Sequence, residues 1–215
     1  MKFVNIDTRN LYSMYCMFNE CINLKDVDLS NFNTSNVVNM SHLFARCNSL
    51  EIIDLSNFDT SKTHDISSMF YMCNSLTNIN LSSFDTSNTD DMSWMFHGCK
   101  SLKIIDLSNF NTSNVENMSY MFSGCTELVT LDLSNFDTSK VTNMEGLFNK
   151  CNHLESLDIR NFNSLSLKGK VYFMFENCYS LKNITCTKKF KAYIKRNAKK
   201  MELYNIDNIK WTIVD

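Results

Sequence analysis

Apolar and polar positions recur along this chain with a fixed period. Phe18, Phe44, Phe70, Phe96, Phe122 and Phe148 stand 26 residues apart, and Phe175 follows after 27. Cys21, Cys47, Cys73, Cys99, Cys125, Cys151 and Cys178 keep the same spacing. A period between about 20 and 50 residues marks stacked supersecondary units, none of which can bury its apolar face alone. The expected fold is an α/β repeat solenoid, with a parallel sheet on one face and short helices on the other.

Within one unit the pattern changes period half-way. Met118, Met121, Phe122 and Cys125 fall at i, i+3, i+4 and i+7, which predicts a helix of about two turns. Ser13, Asn39, Asp65, Asp91, Asn117 or Asn143 precedes it in six of the seven units. These residue types accept from free amides at a helix N-terminus. The second half, with Leu50, Ile53, Leu55 and Phe58, has the spacing of a strand whose intervening side chains point out of the sheet. Asp59-Thr60-Ser61 or Asn111-Thr112-Ser113 then turns the chain. Seven such units over residues 14–186, each strand about 4.8 Å from the next, predict a sheet about 30 Å wide. A partial repeat over 1–13 precedes them.

The tail, 187–215, has a different pattern. Phe190, Tyr193, Ile194, Ala198 and Met201 share one helical face, ringed by lysines. The tail carries eight Lys/Arg against three Asp/Glu, a net of +5, and the remainder thirteen against twenty, a net of −7. A basic amphipathic helix binds membranes or nucleic acid in some proteins. A solenoid also needs a terminal cap with a polar outer face, and a helix-strand cap is the reading preferred here.

Composition narrows the class. The 215 residues contain no proline and four glycines, so this is no linker or low-complexity chain. No apolar run approaches the ~18 residues of a membrane span, and Met1–Asp7 has no apolar signal segment. An intracellular location follows as the expectation. Seven of nine cysteines form one column of the repeat, which predicts buried free thiols.

The unit from Met118 to Ser139, M-S-x-M-F-x-G-C-x-x-L-x-x-L-D-L-S-x-F-D-T-S, closely resembles the BspA-like leucine-rich repeats. It is most similar to their methionine-rich branch, a domain of unknown function common in bacterial surface proteins. The resemblance covers residues 14–186, and the closing helix and strand also look like that family's. It implies a leucine-rich-repeat binder or adhesin without catalytic residues, at the cell surface or secreted.

Chemistry-bearing motifs agree with a non-enzymatic role. There is no phosphate-binding glycine loop, nucleophile elbow or paired-histidine metal motif. His42, His64, His97 and His153 lie in different units. Cys16 and Cys21 with His42 fall short of the four convergent ligands of a zinc site. No metal, cofactor or small-molecule substrate is expected, and a protein partner is, with nucleic acid or membrane disfavoured.

Candidate binding residues lie where the repeat presents side chains outward. One strand column holds Asp28, Asp54, Asn80, Asp106, Asp132, Asp158 and Thr185. Like charges ~4.8 Å apart repel by about 1 kcal/mol in bulk water and about 3.5 at an effective dielectric of 20. Two readings stand side by side: carboxylates held wet by flanking serines, or an acidic strip that meets a basic partner or a cation. Ile52 and Ile104, in the next column, are apolar among polar neighbours. Trp94, Tyr120 and Phe173 share an outward column with His42 in the other half of the unit. They read equally as an aromatic contact patch or as half-buried edge residues.

Overall fold

The structure, a computed structural model, describes residues 6–167 and 169–215. Of the partial repeat expected over 1–13, residues 1–5 lie outside the described residues. The chain forms a solenoid with parallel strands, closed at its C-terminal end by one helix and one strand. The strands are β1 (Ile52–Asp54), β2 (Asn78–Asn80), β3 (Thr130–Asp132), β4 (Ser156–Asp158), β5 (Asn183–Thr187) and β6 (Lys210–Val214). β1 pairs with β2, and β3, β4, β5 and β6 pair in that order, all parallel. The sheet is therefore two blocks, interrupted at the unit of Ile104 and Asp106, which is not in strand conformation. The expected register holds: Asp54 lies opposite Asn80, and Asp132 opposite Asp158.

The short helices expected in every unit are absent from the described residues. Each helical pattern is instead a run of turns. Leu43 N–H donates to Met40 O (3.2 Å), Ala45 N–H to His42 O (3.1 Å) and Cys47 N–H to Phe44 O (3.1 Å), while the alternate residues bond to the next coil. Met40, His42, Phe44 and Arg46 donate to the carbonyls of Asp65, Ser67, Met69 and Tyr71. The third residue of each turn has positive φ: His42 at 56° and Arg46 at 61°, with Gly98 and Gly124 in the same place at 73° and 75°. That is the signature of type II turns. The i, i+3, i+4, i+7 pattern survives because Met118, Met121, Phe122 and Cys125 still all point inward and are fully buried. A helix would satisfy its own amides and leave none to bond the neighbouring coil. The turns let every coil hydrogen-bond the next on this side too.

The polar columns close the coils. Asn39 and Asp65 do the job expected of helix caps, but for turns: their Oδ1 atoms accept from the amides of Ser41 and Ser67, both at 2.8 Å. A buried threonine column acts as a hydroxyl ladder. Thr34 Oγ1 accepts from the Asp59 amide (2.8 Å) and donates to its carbonyl (3.0 Å), and Thr60 repeats this with Asp85. Each hydroxyl so satisfies two backbone groups that burial would otherwise leave unpaired.

Stacked phenylalanines fill the core. Rings from Phe18 to Phe175 lie nearly parallel at 5.3–6.2 Å between centroids. Beside them the thiols of Cys47, Cys73, Cys99, Cys125, Cys151 and Cys178 each donate to a phenylalanine carbonyl of the preceding coil. All nine cysteines are free; of the column expected to be buried, Cys47 to Cys178 are buried, but Cys21, in the first coil, is only half-buried.

The cap continues this geometry. After β5, α1 (Lys188–Asn197) begins with Thr187, whose hydroxyl accepts from the Phe190 amide at 3.1 Å. Phe190 and Ile194 are buried. Phe173 and Phe175 amides then donate to Lys200 and Met201 carbonyls (2.9 and 2.8 Å), where a next coil would supply them. β6 completes this last coil against β5. No helix of the described residues is long and apolar enough to cross a membrane.

Candidate binding surface

On the sheet face the carboxylate column is a row of closed turns. Asp54, Asp106 and Asp132 accept through Oδ1 from the amides of Ser56, Ser108 and Ser134 at 2.9, 3.0 and 2.9 Å. Asp28 bonds the Ser30 amide (3.1 Å) and hydroxyl (2.6 Å) in the same way, and Asn80 bonds Ser82. Asp158 instead holds the amide and guanidinium of Arg160. Bonds from the serine amides and hydroxyls lower the pKa of Asp54, Asp106 and Asp132 below the usual carboxylate value. The hydrogen bonds outweigh the opposing effect of burial, so these three carboxylates are ionised at neutral pH. Beside them Ile52 and Ile104 are 60% and 71% exposed, on either side of Asn78.

The sequence-selected residues fall in two groups. Asp132 and Asp158 are paired across β3 and β4, with Asp106 one unit before, while Ile52 and Asp54 belong to the smaller sheet block. Trp94 and Tyr120 lie apart from all of these, in the turn half of the coil. Their rings stack at 4.2 Å, and Tyr71 and His97 stack beside them at 5.0 Å. Tyr120 Oη donates to Glu145 at 2.9 Å. Burial, then this bond, pushes the phenol up to about 12. Burial holds His97 down at about 4, so its imidazole is neutral at physiological pH. The rings of Trp94 and Tyr120 are both half-buried and packed on each other.

Sequence reasoning missed a depression beside Trp94, lined by Tyr15, Glu20, His42, Arg46, Ser68 and Tyr71 among others. Arg46 pairs with Glu20 at 2.9 Å and lies 6.0 Å from the Tyr71 ring centroid. The available signal was Ser68 between ring-bearing His42 and Trp94 in one column. Among the described residues no three His, Cys, Asp or Glu side chains converge as metal ligands.

A family profile described as "Mycoplasma protein of unknown function, DUF285" matches residues 2–104 and again residues 90–204. The chain belongs to this family. Two overlapping DUF285 matches along one chain are what a regular repeat produces, and together they run from the first coil into the cap. No curated protein and no solved structure matches the chain.

Proposed function

We propose that this DUF285 chain is a non-enzymatic scaffold that binds a protein partner on its sheet face. The observation that carries this reading is the exposure of Ile52 and Ile104 beside a row of ionised aspartates. Large apolar side chains rimmed by charge supply the burial and the orientation of a protein contact. The solenoid makes the surface regular, so affinity comes from where the columns depart from their consensus.

The likeness to BspA-like leucine-rich repeats belongs to this proposal and supports an adhesin variant of it. The strand half keeps the leucine-rich spacing, as in Leu128, Leu131 and Leu133. An adhesin works outside the cell, whereas the sequence reading favours the interior. Protease treatment of intact cells separates these two locations.

A photo-crosslinking residue at position 78, between the two isoleucines, tests the binding face. It should give one discrete protein adduct that the Ile52→Ser, Ile104→Ser double variant loses. Equal adducts from position 78 and from position 150 on the turn side would contradict the proposal. An adduct that salt removes and that contains nucleic acid would instead favour the basic tail as the binding element.

A further inference from the structure

The turn side carries a second candidate site. Trp94 has one face of its indole covered by Tyr120, stacked at 4.2 Å. Tyr120 is itself fixed, bonded to Glu145 and lying over Gly146, where any Cβ would collide with the ring. In the coil before Trp94 the same column drops to Ser68, and in the coil before that it rises again to His42. The gap opens as a depression of about 650 Å³ that reaches Trp94, Ser67, Ser68 and His42.

Its dimensions fit a single ring. His42 and Trp94 are two coils apart, roughly 10 Å at the spacing of parallel strands. A ring midway would sit about 5 Å from each, within the 4.5–7 Å range of ring stacking, alongside Tyr71, whose ring meets Trp94 edge-on at 6.0 Å.

Charge and polarity narrow the ligand. Arg46 is paired with Glu20 and lies near the Tyr71 ring, so the rim offers no free charge to a phosphate or an ammonium group. Ser67, Glu20 and Arg46 place hydroxyl, acceptor and donor groups along the same depression. A ligand with an apolar C–H face and a hydroxyl-bearing edge matches both features. We propose that this slot binds a neutral pyranose unit of a glycan, with Trp94 as the stacking platform and Arg46 and Ser67 bonding its hydroxyls. The site is separate from the sheet face and does not rest on the protein-partner reading.

The test is saturation-transfer NMR on the intact chain with lactose, maltose, cellobiose and diacetylchitobiose. At least one should receive transfer at its ring C–H protons with a saturable Kd. Ser68→Tyr adds a ring to the gap, as Trp94 and Tyr120 do in later coils, and should weaken binding at least tenfold with an unchanged melting curve. Ile52→Ser, on the other face, should leave binding intact. If Ser68→Tyr fails to fold, Arg46→Met at the exposed rim should show the same tenfold loss. Transfer to none of the four sugars, or transfer that neither variant reduces, overturns the proposal. So does saturable binding of indole or inorganic phosphate in place of sugar, which would make the slot an aromatic-side-chain or anion site.

Discussion

The Cys125 thiol lies 3.2 Å from the Phe96 carbonyl, 29 residues earlier in the chain, and donates to it in the preceding coil. The Cys125 amide bonds the Phe122 carbonyl of its own coil at 3.1 Å, and the Cys151 thiol bonds that carbonyl in turn. One column thus ties each coil to the next and closes a turn within it. The cysteine acts here as a small buried donor.

Burial pushes the thiols of Cys47, Cys125 and Cys178 up to about 12. The thiolate is the reactive form. At pH 8 a disulfide reagent should therefore label half-buried Cys16 and Cys21 first, and the other column cysteines only at the rate of unfolding. Rapid labelling of Cys99 or Cys125 in the folded protein would contradict their burial.

Phe96 is fully buried between the rings of Phe70 and Phe122, 5.7 and 5.8 Å away. Phe96→Ala should lower stability by about 3–5 kcal/mol in urea titration. A midpoint equal to the parent's would show that the stack does not hold the core.

Lys150 has φ of 60° and an exposed side chain, in the column where Gly98 and Gly124 stand. A non-glycine residue in this region is strained by about 1–2 kcal/mol, partly offset by the larger chain entropy glycine loses on folding. Lys150→Gly should raise stability by roughly 0.5–1 kcal/mol. Gly124→Ala should lower it, since alanine at a φ of 75° is strained whatever the space around its Cβ. The reverse signs would argue for helices in place of turns.

His97 gives a pH signature. Its folded pKa, about 4, is below the ordinary 6.5, so the unfolded chain binds a proton first as pH falls. Its contribution to stability is complete above 6.5 and is lost progressively down to about 4. His97→Phe keeps a ring against Tyr71 and should flatten the melting temperature across that window. The depressed aspartates act lower, below about 3.8. An unchanged slope in the variant would place the loss elsewhere.

The carboxylate column separates charge from turn closure. Asp132→Ala removes the bond to the Ser134 amide and should cost about 1 kcal/mol. Asp132→Asn keeps an Oδ1 acceptor, as Asn80 does with Ser82, and should melt close to the parent. Equal losses in both variants would mean that the charge itself is structural.

The solenoid was legible because Phe and Cys recur every 26 residues, and the amide-accepting role of Asn39 and Asp65 because their type is specific, although it was expected at helix N-termini and is found in turns. The helices were misread for a physical reason. Successive type II turns bury the same i, i+3, i+4, i+7 positions as a helix, so Met118, Met121, Phe122 and Cys125 satisfy both. Gly98 and Gly124, at the positive-φ place, carried the distinguishing signal. The Thr34 and Thr60 ladder was hidden because its two bonds reach the following coil, 25 residues on. The slot beside Trp94 was hidden for a similar reason, since a gap shows only once His42, Ser68 and Trp94 stand in one stacked column.

The central claim is that partner recognition lies on the sheet face. The direct measurement is the affinity of the crosslinked partner for the parent, for the Ile52→Ser, Ile104→Ser variant and for the Asp106→Asn, Asp132→Asn, Asp158→Asn variant, by surface plasmon resonance across salt concentrations. The isoleucine variant should bind at least tenfold more weakly at every salt concentration. The asparagine variant should bind more weakly at low salt, with a deficit that shrinks as salt rises. Parent-like affinity in both variants would contradict the claim.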